Sequence, residues 1–497
     1  MTTSTHEKRP NILLITVDQM RYDCLSLLGH PVIETPNLDE LARTGVRFDH
    51  AYSATPTCVP ARAAIFTGQK QTSHGRVGYQ DRVPWNYDKT LPGELAKSGY
   101  HTQCVGKMHV YPARSLLGFH NVILHDGYLH HNRNKHSVPM QEHFNEVDDY
   151  LPWLRAQVPG ADLLDLGLDC NASTVARPWA LPEHLHPTNW TVSQSIDFLR
   201  RRDPSKPFFL WMSFVRPHSP LDPPQAYFDL YKDADFPDPV IGDWAMKEDP
   251  QGSGLNPVTS KGLVPKRRLR NAMAAYYALI THIDHQIGRF LQVLEEYGER
   301  NNTIIMFTSD HGELMGDHHL FRKTLPYEGS THIPFIVNDP GDCLGLDKGN
   351  VVSEIIELRD IMPSLLEAAS TEIPDTVEGN SIWDLARTNG KALERPWREY
   401  LHGEHAQGMD STQWITDGWE KYIWYSQTGE EQFFNLAEDP GELHNLMDSP
   451  QAQERIHYWR SVLIQELEGR EEGYVQDGRL VVGRKPVNIL AHLRSNE

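Results

Sequence analysis

The sequence lacks an excess of positive charge. Its 497 residues include 47 Lys and Arg against 67 Asp and Glu, which gives a formal net charge of −20. Without a net positive field the chain cannot readily displace counterions from phosphates, so we expect no nucleic-acid partner. A local basic pocket for a small anion is still compatible with this balance.

Long apolar runs and an ordered cysteine pattern are also missing. No stretch approaches the roughly 20 apolar residues that span a bilayer, and the first apolar run, residues 11–17, is too short and wrongly flanked for a signal peptide. The cysteines lack CxxC spacing, which excludes an obvious disulfide framework and a thiolate zinc site. They are Cys24, Cys58, Cys104, Cys170 and Cys343. We therefore expect a cytoplasmic protein with no membrane partner.

The composition that is present is that of a globular protein. Hydrophobic residues make up 39% and charged residues 23%, values that differ from those of disordered or collagen-like chains. At roughly 100 to 200 residues per domain, the length allows two to four domains, or one large α/β domain with an appendage.

Three apolar, β-rich runs have the pattern of strands buried on both faces of a parallel sheet. They cover residues 11–17, 207–214 and 303–308. Each run leads into polar side chains, such as Asp18 after the first and Asp310 after the third. Because α/β sheets bind ligands beyond the carboxyl ends of their strands, these positions are candidates for a functional site.

Helical periodicity between the second and third of these strands completes the fold prediction. Apolar residues from Met273 to Leu294 recur at spacings of three and four, and Gly298 stands where a C-terminal cap belongs. Strands that alternate with helices imply a doubly wound sheet. We predict an α/β fold with a large mixed, mainly parallel sheet sandwiched by helices.

Changes in amino-acid composition and hydrophobic pattern along the chain predict its domains. Residues 1–395 are expected to form a catalytic domain. Within it, residues 125–188 have little periodicity and are rich in His, Pro, Asn and Asp, which is typical of an insertion that shapes a substrate pocket. Short strand-like runs and a helix around 452–467 predict that residues 396–497 form a C-terminal α+β subdomain with a small antiparallel sheet.

The segment Cys-Val-Pro-Ala-Arg occupies positions 58–62. Pro60 suits the first turn of a helix, so Cys58 is expected at a helix N-terminus. Free N–H groups and the positive end of the helix dipole make that place an anion site and predispose a cysteine there to react. By itself, the pentapeptide is equally compatible with an ordinary buried cysteine.

This segment resembles the Cys-x-Pro-x-Arg signature of the formylglycine-dependent sulfatase family, part of the alkaline phosphatase superfamily. Further blocks follow in the family's order over nearly the whole chain, residues 125–188 excepted. They are residues 11–18, 35–39, 45–48, 90–100, 106–109 and 309–313, Lys323 with residues 327–328, and residues 439–442. The resemblance implies that a maturation enzyme converts Cys58 to formylglycine.

The resemblance also implies one divalent metal. Its ligands would be Asp18, Gln19, Asp310, His311 and an oxygen of the modified Cys58. Oxygen-rich donors with a single nitrogen suit a hard divalent cation. Many family members have Asp in place of Gln19 and Asn in place of His311. Calcium is the expectation for a sulfatase, and manganese is the alternative, since it tolerates histidine better.

The remaining catalytic roles come from the same resemblance. Lys107 would hold a substrate oxygen and His109 would deprotonate the covalent intermediate; two residues apart, they would share one face of an extended segment. His218 and Lys323 match the family's leaving-group histidine and a second cation near the scissile oxygen. Arg62 would brace the modified residue and the ligand shell.

We therefore predict a metal-dependent sulfuric ester hydrolase that cleaves a small sulfated molecule, a sulfated sugar or an aryl sulfate. A phosphonate monoester or phosphodiester hydrolase using the same site is the alternative, which Gln19 and His311 keep open. A non-catalytic binding protein with unmodified Cys58 has no need for the full set of reactive residues. A thiol hydrolase pairing Cys58 with His109 leaves the acidic set unexplained. The oligomeric state is open, a homo-oligomer included.

Histidines are concentrated in one region, with eight between His101 and His143. Their spacing fits no metal-ligand pattern, so no second metal is predicted. His130 and His131 are expected to line the substrate pocket.

Overall fold

The computed structural model describes residues 9–127, 129–133, 139–161, 170–388, 390, 393 and 396–494. Its strands are β1 Asn11–Asp18, β2 Val46–Phe48, β3 Ala51–Tyr52, β4 His101–Gly106, β5 Asn121–Leu124, β6 Phe208–Pro217, β7 Thr303–Ser309, β8 Phe335–Asn338, β9 Val351–Val352, β10 Ile356–Glu357, β11 Leu401–Gln407, β12 Asp410–Thr416, β13 Glu420–Tyr425, β14 Glu431–Asn435, β15 Val475–Gln476 and β16 Arg479–Leu480.

The helices connect and cover these strands. They are α1 Pro36–Arg43, α2 Cys58–Thr67, α3 Gln71–His74, α4 Leu91–Lys97, α5 Leu129–Arg133, α6 Met140–Val147, α7 Tyr150–Gln157, α8 Pro187–Arg201, α9 Gln225–Tyr231, α10 Lys266–Glu296, α11 Glu328–Thr331, α12 Ile361–Ala368, α13 Trp383–Thr388, α14 Gln453–Leu467 and α15 Ala491–Arg494. Among the described helices, none has the combination of length and apolar character that a membrane span requires.

The central sheet has eight strands in the order β5-β4-β6-β1-β7-β8-β2-β9. Its neighbours run parallel except that β8 is antiparallel to both β7 and β2. The sheet is thus mixed and mainly parallel, which confirms the predicted fold class. The three predicted strands, now β1, β6 and β7, lie side by side at its centre.

Helices cover both faces of this sheet. Every residue of β1 is buried, and its side chains alternate between two apolar clusters: Ile12 and Leu14 pack with α2 and α12, whereas Leu13 and Ile15 pack with α8 and α10. Burial on both faces explains why the strand is continuously apolar rather than alternating.

The long helix α10 confirms the prediction made from its periodicity. It begins seven residues before Met273, at Lys266, and ends at Glu296. Gly298 follows the C-terminal end with a φ of +68°, a conformation that glycine adopts without steric cost. The helix buries one side against β6 and α8 and thereby supports the strands that carry the site.

The region predicted as an insertion contains more regular structure than its sequence indicated. The structure describes α5, α6 and α7 there, whereas residues 128, 134–138 and 162–169 lie outside the described part of the chain. Helices α6 and α7 contribute Phe144 and Tyr150 to an apolar cluster that also contains Trp190 of α8. Short helices of about two turns carry too few repeats for periodicity to reveal them.

The C-terminal part of the chain contains a separate four-stranded antiparallel sheet, β11-β12-β13-β14. One face packs against α14 through Trp424 and Trp459, and the other packs through Phe434 against Tyr327 of the larger part. The division at residues 395 and 396 stays a prediction, because residues 394–395 lie outside the described residues.

Candidate active site

Three chain segments meet at the carboxyl edge of the central sheet. Asp18 is the last residue of β1, Asp310 and His311 directly follow β7, and Cys58 is the first residue of α2. Because β1 and β7 are parallel neighbours with Val17 opposite Ser309, the side chains that follow them emerge together. All four side chains are buried, with at most 3% of any residue exposed.

These four residues form a compact donor cluster. Their candidate ligand atoms all lie within 4.8 Å of one another. The Nε2 atom of His311 lies 3.2 Å from the Sγ of Cys58 and 3.4 Å from the Oδ1 of Asp18. Its Nδ1 lies 3.0 Å from the carbonyl oxygen of Gly312, a bond that leaves Nε2 facing the cluster.

The donor set fits a divalent metal. Two carboxylates and one imidazole converge on a buried point, and a buried pair of carboxylates needs positive charge nearby. Arg62 and Lys107 supply part of that charge: Lys107 Nζ donates to Asp18, and Arg62 Nε donates to Asp310 Oδ2 at 3.1 Å.

The surrounding charges shift the acidities of the cluster. Burial raises the pKa of Asp18, but Lys107, His218 and other cations outweigh it and hold the pKa well below its usual value. Burial and Asp18 raise the pKa of Cys58, yet Lys107, Lys323 and His311 bring it below the ordinary thiol value. An oxygen nucleophile at residue 58 would experience the same field.

Arg62 and Lys107 join the segments of the site. Burial lowers the pKa of Lys107, but the adjacent Asp18 and Cys58 raise it above its usual value, so the ammonium stays charged. Its Nζ lies 3.5 Å from the Sγ of Cys58. The fully buried Arg62 donates through Nη1 to the carbonyl oxygen of Lys107 at 2.7 Å and to Ser213 Oγ at 3.0 Å.

His109 occupies an unusual backbone conformation. We expected it on an extended segment with Lys107, but its φ is +58°, so the chain turns sharply after β4. The Asp126 carboxylate stabilises this turn by accepting hydrogen bonds from the backbone N–H groups of Met108 at 2.8 Å and His109 at 2.9 Å. The turn brings the His109 ring to the cavity wall.

Both ring nitrogens of His109 are buried and have no hydrogen-bond partner among the described residues. Burial and the charge of Lys107 hold the pKa of His109 well below its usual value. A neutral imidazole with free nitrogens can accept a proton from a group in the cavity.

His218 and Lys323 form a second pair at the cavity. Lys323 Nζ donates to His218 Nε2 at 2.8 Å, and His218 Nδ1 lies 2.8 Å from the carbonyl oxygen of Ser219. The backbone N–H of His218 also donates to the carbonyl oxygen of Asp18 at 3.0 Å. Burial and the neighbouring Lys323 lower the pKa of His218 well below its usual value.

Gln19 lies beside the donor cluster but its side chain is bonded elsewhere. Its Nε2 donates to Glu313, and its Oε1 accepts a hydrogen bond from Lys323. Its backbone N–H donates to Asp310 Oδ1 at 3.2 Å, and its φ is +74°. Its role as a metal ligand stays a prediction, and Glu313 is a contact that sequence reasoning did not identify.

A cavity of about 950 Å³ opens above these residues. Cys58, Lys107, His109, His218 and Lys323 all line it. The structure therefore brings every predicted catalytic side chain to one space, apart from Arg62, which lies behind it. Their individual roles stay predictions.

The opposite side of the cavity comes from the C-terminal sheet. His405 of β11, Tyr425 of β13 and Gln432 of β14 line the cavity. His405 is buried, its Nε2 has no partner among the described residues, and burial lowers its pKa to about 3. No local motif marked His405, because it stands more than 80 residues from the nearest predicted site residue.

Of the two histidines expected to line the pocket, the structure describes the side chain of His130 alone. His130 is buried against Phe144 and lies 3.7 Å from Asp126, which puts it behind Asp126 rather than at the cavity surface. The side chain of His131 lies outside the described residues. The nearby wall is built instead by Gly127 and Leu129.

Comparison with known families supports this geometry. A family model described as Sulfatase matches residues 10–371, and a model described as N-sulphoglucosamine sulphohydrolase, C-terminal, matches residues 316–468. The first match includes every predicted site residue, and the second includes the C-terminal sheet.

Three known proteins illustrate the similarity. The chain is 57% identical over 487 residues to an arylsulfatase of Clostridium perfringens, covering 98% of this chain and 100% of that protein. It is 30% identical to the multifunctional alkaline phosphatase superfamily protein PehA of Trinickia caryophylli, with 89% and 92% covered. The solved phosphonate monoester hydrolase of Agrobacterium radiobacter superposes with a TM-score of 0.72 at 26% identity, covering 92% and 95%.

Proposed function

Since the chain belongs to the sulfatase family, which hydrolyses sulfate esters, we propose that it cleaves the sulfate monoester of a small sugar or aryl compound through a formylglycine made from Cys58. The observation that carries the proposal is the place of Cys58, at the N-terminus of α2 within 3.5 Å of Lys107 Nζ. The hydrated aldehyde of formylglycine would supply one hydroxyl to attack sulfur and a second whose deprotonation releases sulfate.

Binding of the sulfate group falls to positive charge around residue 58. Lys107 and Lys323 line the cavity together with Cys58, and because α2 begins at Cys58, the positive end of its dipole lies at the same residue. These donors are in place before the substrate arrives, so they stabilise charge on the sulfate oxygens without reorganisation.

His218 is suited to protonate the departing alcohol oxygen. Its Nε2 accepts a hydrogen bond from Lys323 Nζ at 2.8 Å, so Lys323 is the source of the proton, and the leaving oxygen would take it from this Lys323–His218 pair. The bond from Nδ1 to Ser219 fixes the ring orientation. General acid catalysis of this kind contributes about 10² to 10⁴ in rate.

His109 is suited to the opposite task. Its ring nitrogens have no partner in the part of the chain that the structure describes and its pKa is low, so it is neutral and can take the proton whose removal breaks the C–O bond at residue 58. His218 is therefore proposed as the general acid, because Lys323 donates a hydrogen bond to it, and His109 is proposed as the general base.

Asp18, Asp310 and His311 would hold the divalent metal, together with residue 58. A metal there would polarise the sulfate oxygens as a Lewis acid. We propose calcium, with manganese as the alternative that Gln19 and His311 favour. We also propose that a maturation enzyme modifies Cys58, that the protein is located in the cytoplasm and that it forms a homo-oligomer. Cell fractionation tests the location, and light scattering tests the oligomeric state.

Phosphonate monoester hydrolysis is the second candidate. Gln19 and His311 stand where many sulfatases have Asp and Asn, and the phosphonate monoester hydrolase named above shares the fold over 92% of this chain. Small differences in the metal set can change the preferred ester because a sulfate ester presents three non-bridging oxygens, whereas a phosphonate monoester presents two and a carbon substituent.

One measurement separates the two candidates. A single purified sample, with formylglycine at residue 58 verified by mass spectrometry, is assayed on a matched aryl sulfate and aryl phosphonate monoester with calcium and with manganese. We expect a higher kcat/KM for the sulfate with calcium. A clear preference for the phosphonate would move the protein to the second candidate.

A further inference from the structure

The cavity contains more cationic side chains than the reaction requires. Lys107 and Lys323 surround residue 58, but Lys261 and Arg322 line the same cavity as well. The protein as a whole carries a net charge of −20, so this concentration of positive charge in one concave space is local and specific.

The backbone holds Lys261 and Arg322 in one wall. Lys261 pairs with Leu320 in an antiparallel bridge, and the neighbouring N–H of Phe321 donates to the carbonyl oxygen of Ser260 at 2.9 Å. The backbone N–H of Arg322 donates to Glu313, which also accepts a hydrogen bond from Gln19. The wall is therefore linked through Glu313 to Gln19, the residue that follows Asp18.

Neither cation is neutralised by the described residues. No described carboxylate lies within ion-pair distance of Lys261 or Arg322, and the Nε of Arg322 is buried without a hydrogen-bond partner. Most arginines in this protein do have partners, as Arg470 has in Glu404 and Glu472. A buried guanidinium N–H without a partner is costly unless a ligand supplies the acceptor.

The acidic residues of the cavity mouth stand on another wall. Asp410 of β12 and Glu430, just before β14, line the cavity from the C-terminal sheet and are exposed. The wall that carries Lys261 and Arg322 therefore presents positive charge to the cavity, and no described acidic residue on that wall pairs with it. The guanidinium fork can bind two oxygens of a carboxylate or of a tetrahedral sulfate group.

We propose that Lys261 and Arg322 bind a second anionic group, a carboxylate or a second sulfate, on the alcohol half of the substrate. The inference rests on the proposed function, because it assumes that the scissile sulfate occupies the floor at residue 58. It narrows the substrate class to esters whose alcohol half is itself negatively charged.

The test uses matched pairs of aryl sulfates and the mature enzyme. In the first kind of pair, a carboxylated aryl sulfate is compared with its methyl ester, once with a short and once with a longer linker between the ring and the carboxylate. In the second kind, hydroquinone bis-sulfate is compared with 4-methoxyphenyl sulfate. We expect the ratio of kcat/KM for the charged to the neutral partner to fall roughly tenfold in Arg322→Gln and by less in the exposed Lys261→Gln.

The ratio protects the test from indirect effects. Any loss that Arg322→Gln causes through the adjacent Lys323 affects both partners and cancels. Arg267→Gln is the control, because Arg267 is exposed and does not line the cavity. Lys261→Glu should lower the ratio further, and added salt should reduce the wild-type ratio towards that of the variants.

Each outcome has one reading. A fall for the carboxylates, the bis-sulfate or both supports the proposal and identifies which anion binds. Unchanged ratios in both variants, with neutral esters still hydrolysed, overturn the second-anion site and leave the proposed function intact. Failure of the mature wild type to hydrolyse any sulfate ester would instead overturn the proposed function.

Discussion

The floor and the C-terminal wall of the cavity are built on different principles. The floor, defined as Asp18, Cys58, Lys107, Asp310 and His311, is at most 4% exposed and its charges contact one another directly. The C-terminal wall, defined as His405, Gln407, Thr412, Tyr425 and Gln432, carries hydrogen-bonding groups on antiparallel strands, and the exposed Asp410 and Glu430 line the cavity from the same sheet.

This difference indicates which part of the cavity performs the chemistry and which part selects the substrate. Groups that stabilise a developing charge are effective when water is excluded and neighbours hold them still. Strand ends in a sheet covered on both faces meet both conditions. Side chains on the polar hairpin strands can be substituted without disturbing the residues of the floor. Such a surface is suited to recognise the alcohol half of the ester.

Replacing the nucleophile should produce the largest effect. In Cys58→Ala no formylglycine can form, so kcat for a sulfate ester should fall by at least about 1,000-fold. Turnover of an aryl sulfate is the measurement, and the exposed Cys343 provides the matched control as Cys343→Ala. Activity of Cys58→Ala within a few-fold of wild type would falsify the assignment of the floor.

Removing the proton donor should have a smaller effect that depends on the leaving group. In His218→Asn an alkyl sulfate, whose alcohol needs protonation, should lose about 10² to 10³ in kcat. An aryl sulfate with an acidic phenol should lose about tenfold or less. Equal losses for both esters would mean that His218 orients the floor and does not donate a proton.

The wall residue His405 should affect stability more than activity. Its folded pKa of about 3 lies below the value near 6.5 in the unfolded chain. The unfolded state therefore binds more protons between these pH values, and the contribution of His405 to stability is lost as the pH falls below 6.5.

The expected size follows from that difference in pKa. Between pH 7.5 and pH 5, the free energy of unfolding of wild type should fall by about 2 kcal/mol more than that of His405→Gln. Urea unfolding at both pH values measures it, with the exposed His184→Gln as control. Activity should change only a few-fold, and a loss as large as that of His218→Asn would place the wall within the chemistry.

Much of the floor could be predicted because its signals are local. The apolar runs that became β1 and β7 identified Asp18 and Asp310 as strand-end residues, and Pro60 indicated the helix that begins at Cys58. Periodicity likewise identified α10. In each case neighbours within a few residues decide the conformation, so the sequence contains the information.

Contacts between distant segments could not be predicted in this way. The extended segment expected at His109 is a turn held by Asp126, and the side chain of Gln19 is bonded to Glu313, nearly 300 residues away. The short helices α5 to α7 were also missed, because they are stabilised by packing on one another rather than by a long periodic pattern.

The sequence by itself determined the class of sheet, the family and the residues that carry charge and nucleophile at the floor. Only the tertiary structure decided what stands opposite them: His405 and the C-terminal wall on one side, Lys261 and Arg322 on another. The physical reason is separation along the chain. Strand ends and helix starts are set by local backbone preferences, whereas a cavity wall exists only once remote elements have packed.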